Sequence, residues 1–107
     1  MSTFRFTKTR KLAILHRMRE LLERRGGWVK ETLDNGRGGY CLLGAESRAI
    51  RELYGKSVLN TGGRKLSIYA AAKARGFPYV SAFNDSPKTR KADVLALVDE
   101  KIAELSA

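Results

Sequence analysis

Glycine cuts this chain into helix-sized pieces, and no other feature constrains the fold as much. Gly26-Gly27, the cluster Gly36, Gly38 and Gly39, then Gly55, Gly62-Gly63 and Gly76 fall between segments whose apolar residues return every three or four positions. Glycine takes positive φ without a steric penalty and so ends helices, while the three-to-four spacing gives each segment one stripe to bury. The pattern predicts a mainly α, compact single domain of about four helices spanning residues 1–107, with residues 1–7 as a flexible N-terminal arm. A chain of 107 residues has room for one core. A core of that size buries roughly two-thirds of the surface the unfolded chain exposes, which is enough to fold without disulfides or a structural metal.

The first helix is predicted from Lys8 to Arg25, with Thr7 as its N-cap and Gly26-Gly27 as its stop. Leu12, Ile14, Leu15, Met18, Leu21 and Leu22 share one half of that cylinder. Arg10, Arg17 and Arg24 fall on the other half, one heptad apart, at intervals of about 10.5 Å. Asn35-Gly36, flanked by Trp28 and Val29 on one side and Tyr40 on the other, predicts a short β-hairpin or an extended loop. A second helix runs from Leu42 to Tyr54 and stops at Gly55, with Leu42, Ala45, Ala49, Ile50 and Leu53 facing inward. Ser57 to Gly63 reads as a loop. An alanine-rich third helix is expected from Arg64 to Arg75, and Tyr79 to Phe83 reads as a short extended segment. The last helix, capped by Ser86 before Pro87 or by Thr89, extends to Leu105 with Val94, Leu95, Val98, Ile102 and Leu105 inward.

Charge is the strongest compositional signal: 21 Lys and Arg against 11 Asp and Glu give a net +10. It is uneven, because residues 1–30 hold nine basic and two acidic groups. A concentrated positive field draws in polyanions, so nucleic acid, an anionic membrane surface or an acidic protein is the expected kind of partner. The arginine ridge suits a phosphate backbone, yet Glu20 lies three residues from Arg17 and four from Arg24, where it pairs locally just as well. No apolar stretch approaches the roughly 20 residues needed to span a bilayer, and the apolar cluster Leu12–Leu15 is cut short by His16, Arg17 and Arg19. The expected location is the cytoplasm.

Chemistry-bearing residues are few. A Cys nucleophile needs a base, and His16 is the only imidazole in the chain, with Asp85 or Glu46 to orient it. Cys41 opens the second helix, where a thiol gains acidity, but a lone Cys also packs as a small hydrophobe. His16 falls away from the apolar half of its helix. One Cys and one His give no structural zinc set, so no metal and no cofactor is expected. Neither a P-loop nor a GxGxxG sequence is present around Arg37 or Arg64. Glu46 projects into the middle of an apolar face and must reach solvent, a donor such as Trp28, an arginine, or else carry a raised pKa. Asn84 and Asp85 sit between elements, where helix capping competes with a functional role.

Three signatures occur in order: Gly27-Trp28, then Tyr40-Cys41-Leu42-Leu43-Gly44-Ala45 opening a helix, then Phe83-Asn84-Asp85 followed by Asp93-Val94-Leu95-Ala96-Leu97. Together they resemble a small domain of unknown function found in actinobacteria and their bacteriophages, over about Leu12 to Leu105. The resemblance implies a compact, mostly helical protein, a bacteriophage origin, and no transferable catalytic residue. The loop before Cys41 is shorter than in cellular members.

The leading expectation is a non-enzymatic basic module that contacts nucleic acid or an acidic host protein through Arg10, Arg17, Arg24, Arg25 and Arg37. One alternative is a small enzyme built on a buried polar site of Trp28, Cys41, Glu46, Asn84 and Asp85. Another is a structural or oligomeric protein that docks through Phe4 and Phe6.

Overall fold

The computed structural model describes residues 4–55 and 61–107. Its helices are α1 (Lys8–Glu23), α2 (Leu42–Tyr54), α3 (Ile68–Ala74), α4 (Val80–Asp85) and α5 (Lys91–Ser106). The long helix α1 packs against both α2 and α5, and the two short helices close the remaining sides, α3 on α5 and α4 on α2 and α3. Ile14, Leu15, Met18, Leu21 and Leu22 of α1 are buried together with Leu42, Ala45, Ala49 and Ile50 of α2 and Val94, Leu97 and Val98 of α5. Transfer of such side chains from water, at about 1.5–3 kcal/mol each when complete, is the main favourable contribution to folding.

Two ends match their sequence signals. The Thr7 hydroxyl accepts from the Arg10 amide at 3.2 Å and caps α1. Gly55 closes α2 in the left-handed conformation at φ 67°. Phe4, in the predicted arm, packs its ring 5.2 Å from Tyr54 and 4.9 Å from Phe6.

Elsewhere tertiary contacts move the boundaries. Helix α1 ends at Glu23 rather than Arg25, because Lys91 of α5 donates to the carbonyls of Glu23 and Arg24 at 2.7 Å each and the backbone leaves the helix at Arg24. A cation at a helix C-terminus satisfies carbonyls that have no partner within the helix. Helix α3 begins at Ile68 rather than Arg64, since residues 62–67 form turns and Ser67 sits at φ 62°. The extended segment expected at Tyr79–Phe83 is instead helix α4. Its aromatic and β-branched residues signal strand, but Val80, Phe83 and Asn84 are all buried at helical spacing.

Neither Ser86 nor Thr89 caps the last helix. Arg90 takes that place, with the Asp93 carboxylate accepting from the Arg90 amide at 2.8 Å. In α2, Leu53 is 42% exposed, not part of the core. In α5, Leu97 and the stem of Lys101 join the buried stripe. Residues 57–60 of the loop expected at Ser57–Gly63 lie outside the described residues.

The hairpin after α1 does not form among the described residues. Trp28 and Asp34 each make a single β-bridge to Tyr40, and the loop is closed by side chains instead. Asn35 Oδ1 accepts from the amides of Arg37 at 2.8 Å and Gly39 at 2.9 Å, so the Asn-Gly turn signal is expressed as an Asx-type loop with no ladder behind it. Gly27 and Gly39 allow this fold-back, for a β-carbon at Gly39 would lie 2.8 Å from the Gly26 carbonyl oxygen.

Candidate functional site

The loop of residues 28–41 is pinned to α4 chiefly by one side chain. Asn84 is fully buried, and its Oδ1 accepts from the Trp28 indole at 2.7 Å and from the Leu42 amide at 3.1 Å. Its Nδ2 donates to the Val29 carbonyl at 3.1 Å and to Asp85 Oδ1 at 2.9 Å. Two acceptor sites and two donors exhaust what a carboxamide can do, so Asn84 serves the architecture and holds nothing back for a ligand. Asp85 Oδ1 also accepts from the Glu31 amide at 2.9 Å, where Glu31 takes φ 65°. Lys30 reaches the Ser86 carbonyl at 2.7 Å from the same loop.

Of the five residues expected in a buried polar site, Trp28, Asn84 and Asp85 meet directly and Cys41 lies beside them. Glu46 belongs elsewhere: its Oε1 accepts from the Thr61 hydroxyl at 2.9 Å, not from Trp28 or an arginine. Glu46 is 1% exposed and its Oε2 has no hydrogen bond among the described residues. Burial raises its pKa to about 7, with the Thr61 hydroxyl and the Thr61 and Gly63 amides offsetting part of that rise.

Cys41 and Asp85 line a cleft of about 290 Å³ together with Glu31, Thr32, Leu33, Leu43 and Ser81. The cleft contains no imidazole, and His16 stands exposed on α1. Cys41 is the N-cap of α2, and its Sγ accepts from the Gly44 amide at 3.4 Å. The helix-start position was a reason to expect an acidic thiol, but burial outweighs the backbone amides and raises the Cys41 pKa. A buried thiol with a raised pKa and no imidazole in its cleft is a poor nucleophile. Among the described residues no three His, Cys, Asp or Glu side chains gather as metal ligands.

The arginine ridge is divided by its neighbours. Arg17 makes a paired contact with Glu52 of α2, 2.7 Å from Nε and 3.2 Å from Nη2, and lies 3.5 Å from Glu20. Arg17 in turn holds the Glu52 carboxyl below its ordinary range, with Arg48 adding to the effect. Arg10 lies over the rings of Phe4 and Tyr54 and donates to the Arg5 carbonyl. Arg24, Arg25 and Arg37 are exposed and enter no ion pair among the described residues.

The fold adds cations that sequence reasoning passed over. The Lys91 contacts to Glu23 and Arg24 bring the start of α5 against the end of α1, and the exposed residues Lys88 and Arg90 precede Lys91 in the chain as exposed Arg24 and Arg25 follow Glu23. The Gly26–Gly39 contact brings the Arg37 loop to the same end. Lys88 and Arg90 stand more than 60 positions from Arg24 and Arg25 in the chain, and no local pattern links the two pairs. Among the described residues no helix is long and apolar enough to cross a membrane.

A family model described as a family of unknown function (DUF6197) matches residues 7–104. No curated protein matches the chain, and no solved structure does.

Proposed function

We propose that this chain, which belongs to the DUF6197 family of unknown function, is a non-catalytic module that grips a nucleic-acid backbone. The grip is a cationic corner of Arg24, Arg25, Lys88 and Arg90, with Arg37 on the adjoining loop. The observation that supports this reading is the pair of 2.7 Å contacts from Lys91 to the last carbonyls of α1, which brings two distant basic segments together. Phosphate contact requires only positive charge and positioning, so the patch needs no further chemistry. Helices α3 and α4 are only seven and six residues long, and neither is offered as a groove-reading helix, so binding has little sequence preference. The reading keeps the bacteriophage association of the resemblance, with host nucleic acid in the bacterial cytoplasm as the target.

The test is fluorescence anisotropy of a labelled DNA duplex at about 50 and about 200 mM salt. Four phosphate contacts predict a loss of affinity of roughly 100-fold between the two. Replacing Arg24, Arg25, Lys88 and Arg90 together by Gln flattens the salt slope by about 3.6, whereas Arg17→Gln hardly alters it. Absence of DNA binding at the lower salt refutes the nucleic-acid reading, and binding of polyglutamate by the same corner would then point to an acidic host protein.

A further inference from the structure

A second recess, distinct from the cationic corner, lies where the loop crosses α2. Gly44, Ser47, Arg48 and Arg51 are spaced at i, i+3, i+4 and i+7 and therefore share one face of the helix. Leu33, Asp34 and Tyr40 close over that face to leave a cleft of about 160 Å³. The recess is built into the backbone. A β-carbon at Gly44 would collide with the Leu33 carbonyl oxygen, so the loop rests directly on the helix only because residue 44 is glycine. The β-bridge between Asp34 and Tyr40 holds those two residues opposite each other across the loop.

Several groups that line the cleft keep uncommitted polar atoms. Tyr40 is 8% exposed, yet its hydroxyl makes no hydrogen bond among the described residues and is not sealed from solvent. Tyr40 is one of the residues that line the cleft. Arg48 gives Nε to Glu52 at 3.2 Å and keeps its terminal nitrogens. The Arg51 guanidinium and the Ser47 hydroxyl have no partner among the described residues. Two guanidinium forks and the Ser47 hydroxyl on the helix wall, with Tyr40 on the loop wall, form a donor set suited to a phosphate dianion. Asp34 stands on the loop wall beside Tyr40; its Oδ1 accepts from the Gly36 amide at 2.7 Å, leaving Oδ2 for a ligand. A carboxylate there disfavours a bare anion and favours one that also carries a positive donor.

We propose that this cleft binds a small phosphomonoester bearing an amine, with the phosphate against Arg48, Arg51 and the Tyr40 hydroxyl and the ammonium against Asp34. The volume equals that of about five waters, which suits a phosphate with a short amino-alkyl arm. Phosphate contact comes from Arg51 most directly, because Arg48 already shares Glu52.

The experiment is calorimetric titration of the full chain with O-phosphoethanolamine, inorganic phosphate and ethanolamine in turn. Phosphoethanolamine is expected to bind about tenfold more tightly than inorganic phosphate, and ethanolamine not at all. Arg51→Gln, on an exposed side chain that folding does not require, weakens phosphoethanolamine about tenfold. Asp34→Asn removes the preference over inorganic phosphate, and Tyr40→Phe weakens both phosphates. No saturation at millimolar phosphoethanolamine, or an unchanged affinity in Arg51→Gln, overturns the proposal. The corner variant lacking Arg24, Arg25, Lys88 and Arg90 retains phosphoethanolamine binding; its loss there would place the ligand on the corner and overturn the cleft as the site.

Discussion

Replacing Glu46 by Gln tests the interior at its most expensive point. The carboxyl is 1% exposed on the inner face of α2, donates to nothing as an anion, and has one hydroxyl partner in Thr61. Its pKa is about 7 in the folded chain against an ordinary 4.5, which the unfolded chain is taken to have. Below pH 4.5 both states are protonated and the group adds no pH dependence. Between pH 4.5 and 7 the unfolded chain releases the proton while the folded chain keeps it, so stability falls as pH rises. Above 7 both states are ionised and the loss is complete. A gap of about 2.5 pH units at about 1.4 kcal/mol per unit makes that loss at most about 3.5 kcal/mol, and about 3 kcal/mol is expected once partial solvation of the site is allowed for. Glutamine keeps the shape of the neutral acid and an oxygen for the Thr61 hydroxyl, but it cannot ionise.

The assay is urea unfolding of both chains from pH 4 to pH 8, followed by the fluorescence of Trp28, the single tryptophan. Glu52, whose carboxyl is shifted the opposite way by Arg17, titrates equally in both chains and cancels in the difference. The variant is expected to match the natural chain near pH 4 and to exceed it by about 3 kcal/mol at pH 8. A stability difference that stays constant across this range would refute the reasoning, since it would mean that Glu46 titrates alike in the folded and unfolded chain.

Three further outcomes are expected. Asn84→Ala strands the Trp28 indole, the Leu42 amide and the Val29 carbonyl, and costs about 3 kcal/mol or more in urea unfolding; a cost below about 1 kcal/mol would show that the hub is dispensable. Gly44→Ala gains about 1 kcal/mol in helix propensity but drives a methyl into the Leu33 carbonyl, so thermal unfolding moves down rather than up, and a raised midpoint would contradict the close approach. Cys41 in the folded chain reacts with a disulfide reagent at pH 8 far more slowly than in urea, because burial raises its pKa and blocks access; equal rates would revive a catalytic thiol.

Local chemistry is legible in the chain itself wherever a single segment suffices to satisfy it. The Leu42–Tyr54 helix, its stop at Gly55 and the Thr7 cap depend on groups within a few residues of each other, and the apolar stripe of α1 depends only on a repeat of 3.6. The Asn35 turn signal likewise acts locally, through its own side chain. Tyr79 to Phe83 differs, since its strand-forming composition is a weak preference that burial of Val80, Phe83 and Asn84 against the rest of the molecule overrides. The polar hub of Asn84 and the choice of Thr61 as the partner of Glu46 are decided across separations of 15 to 56 residues. Charge behaves in the same way. Composition establishes a cationic protein, but Coulomb attraction acts through space, so only the packing of α1 on α2 and α5 determines that Arg17 is neutralised by Glu52 while Lys91 closes on the last carbonyls of α1.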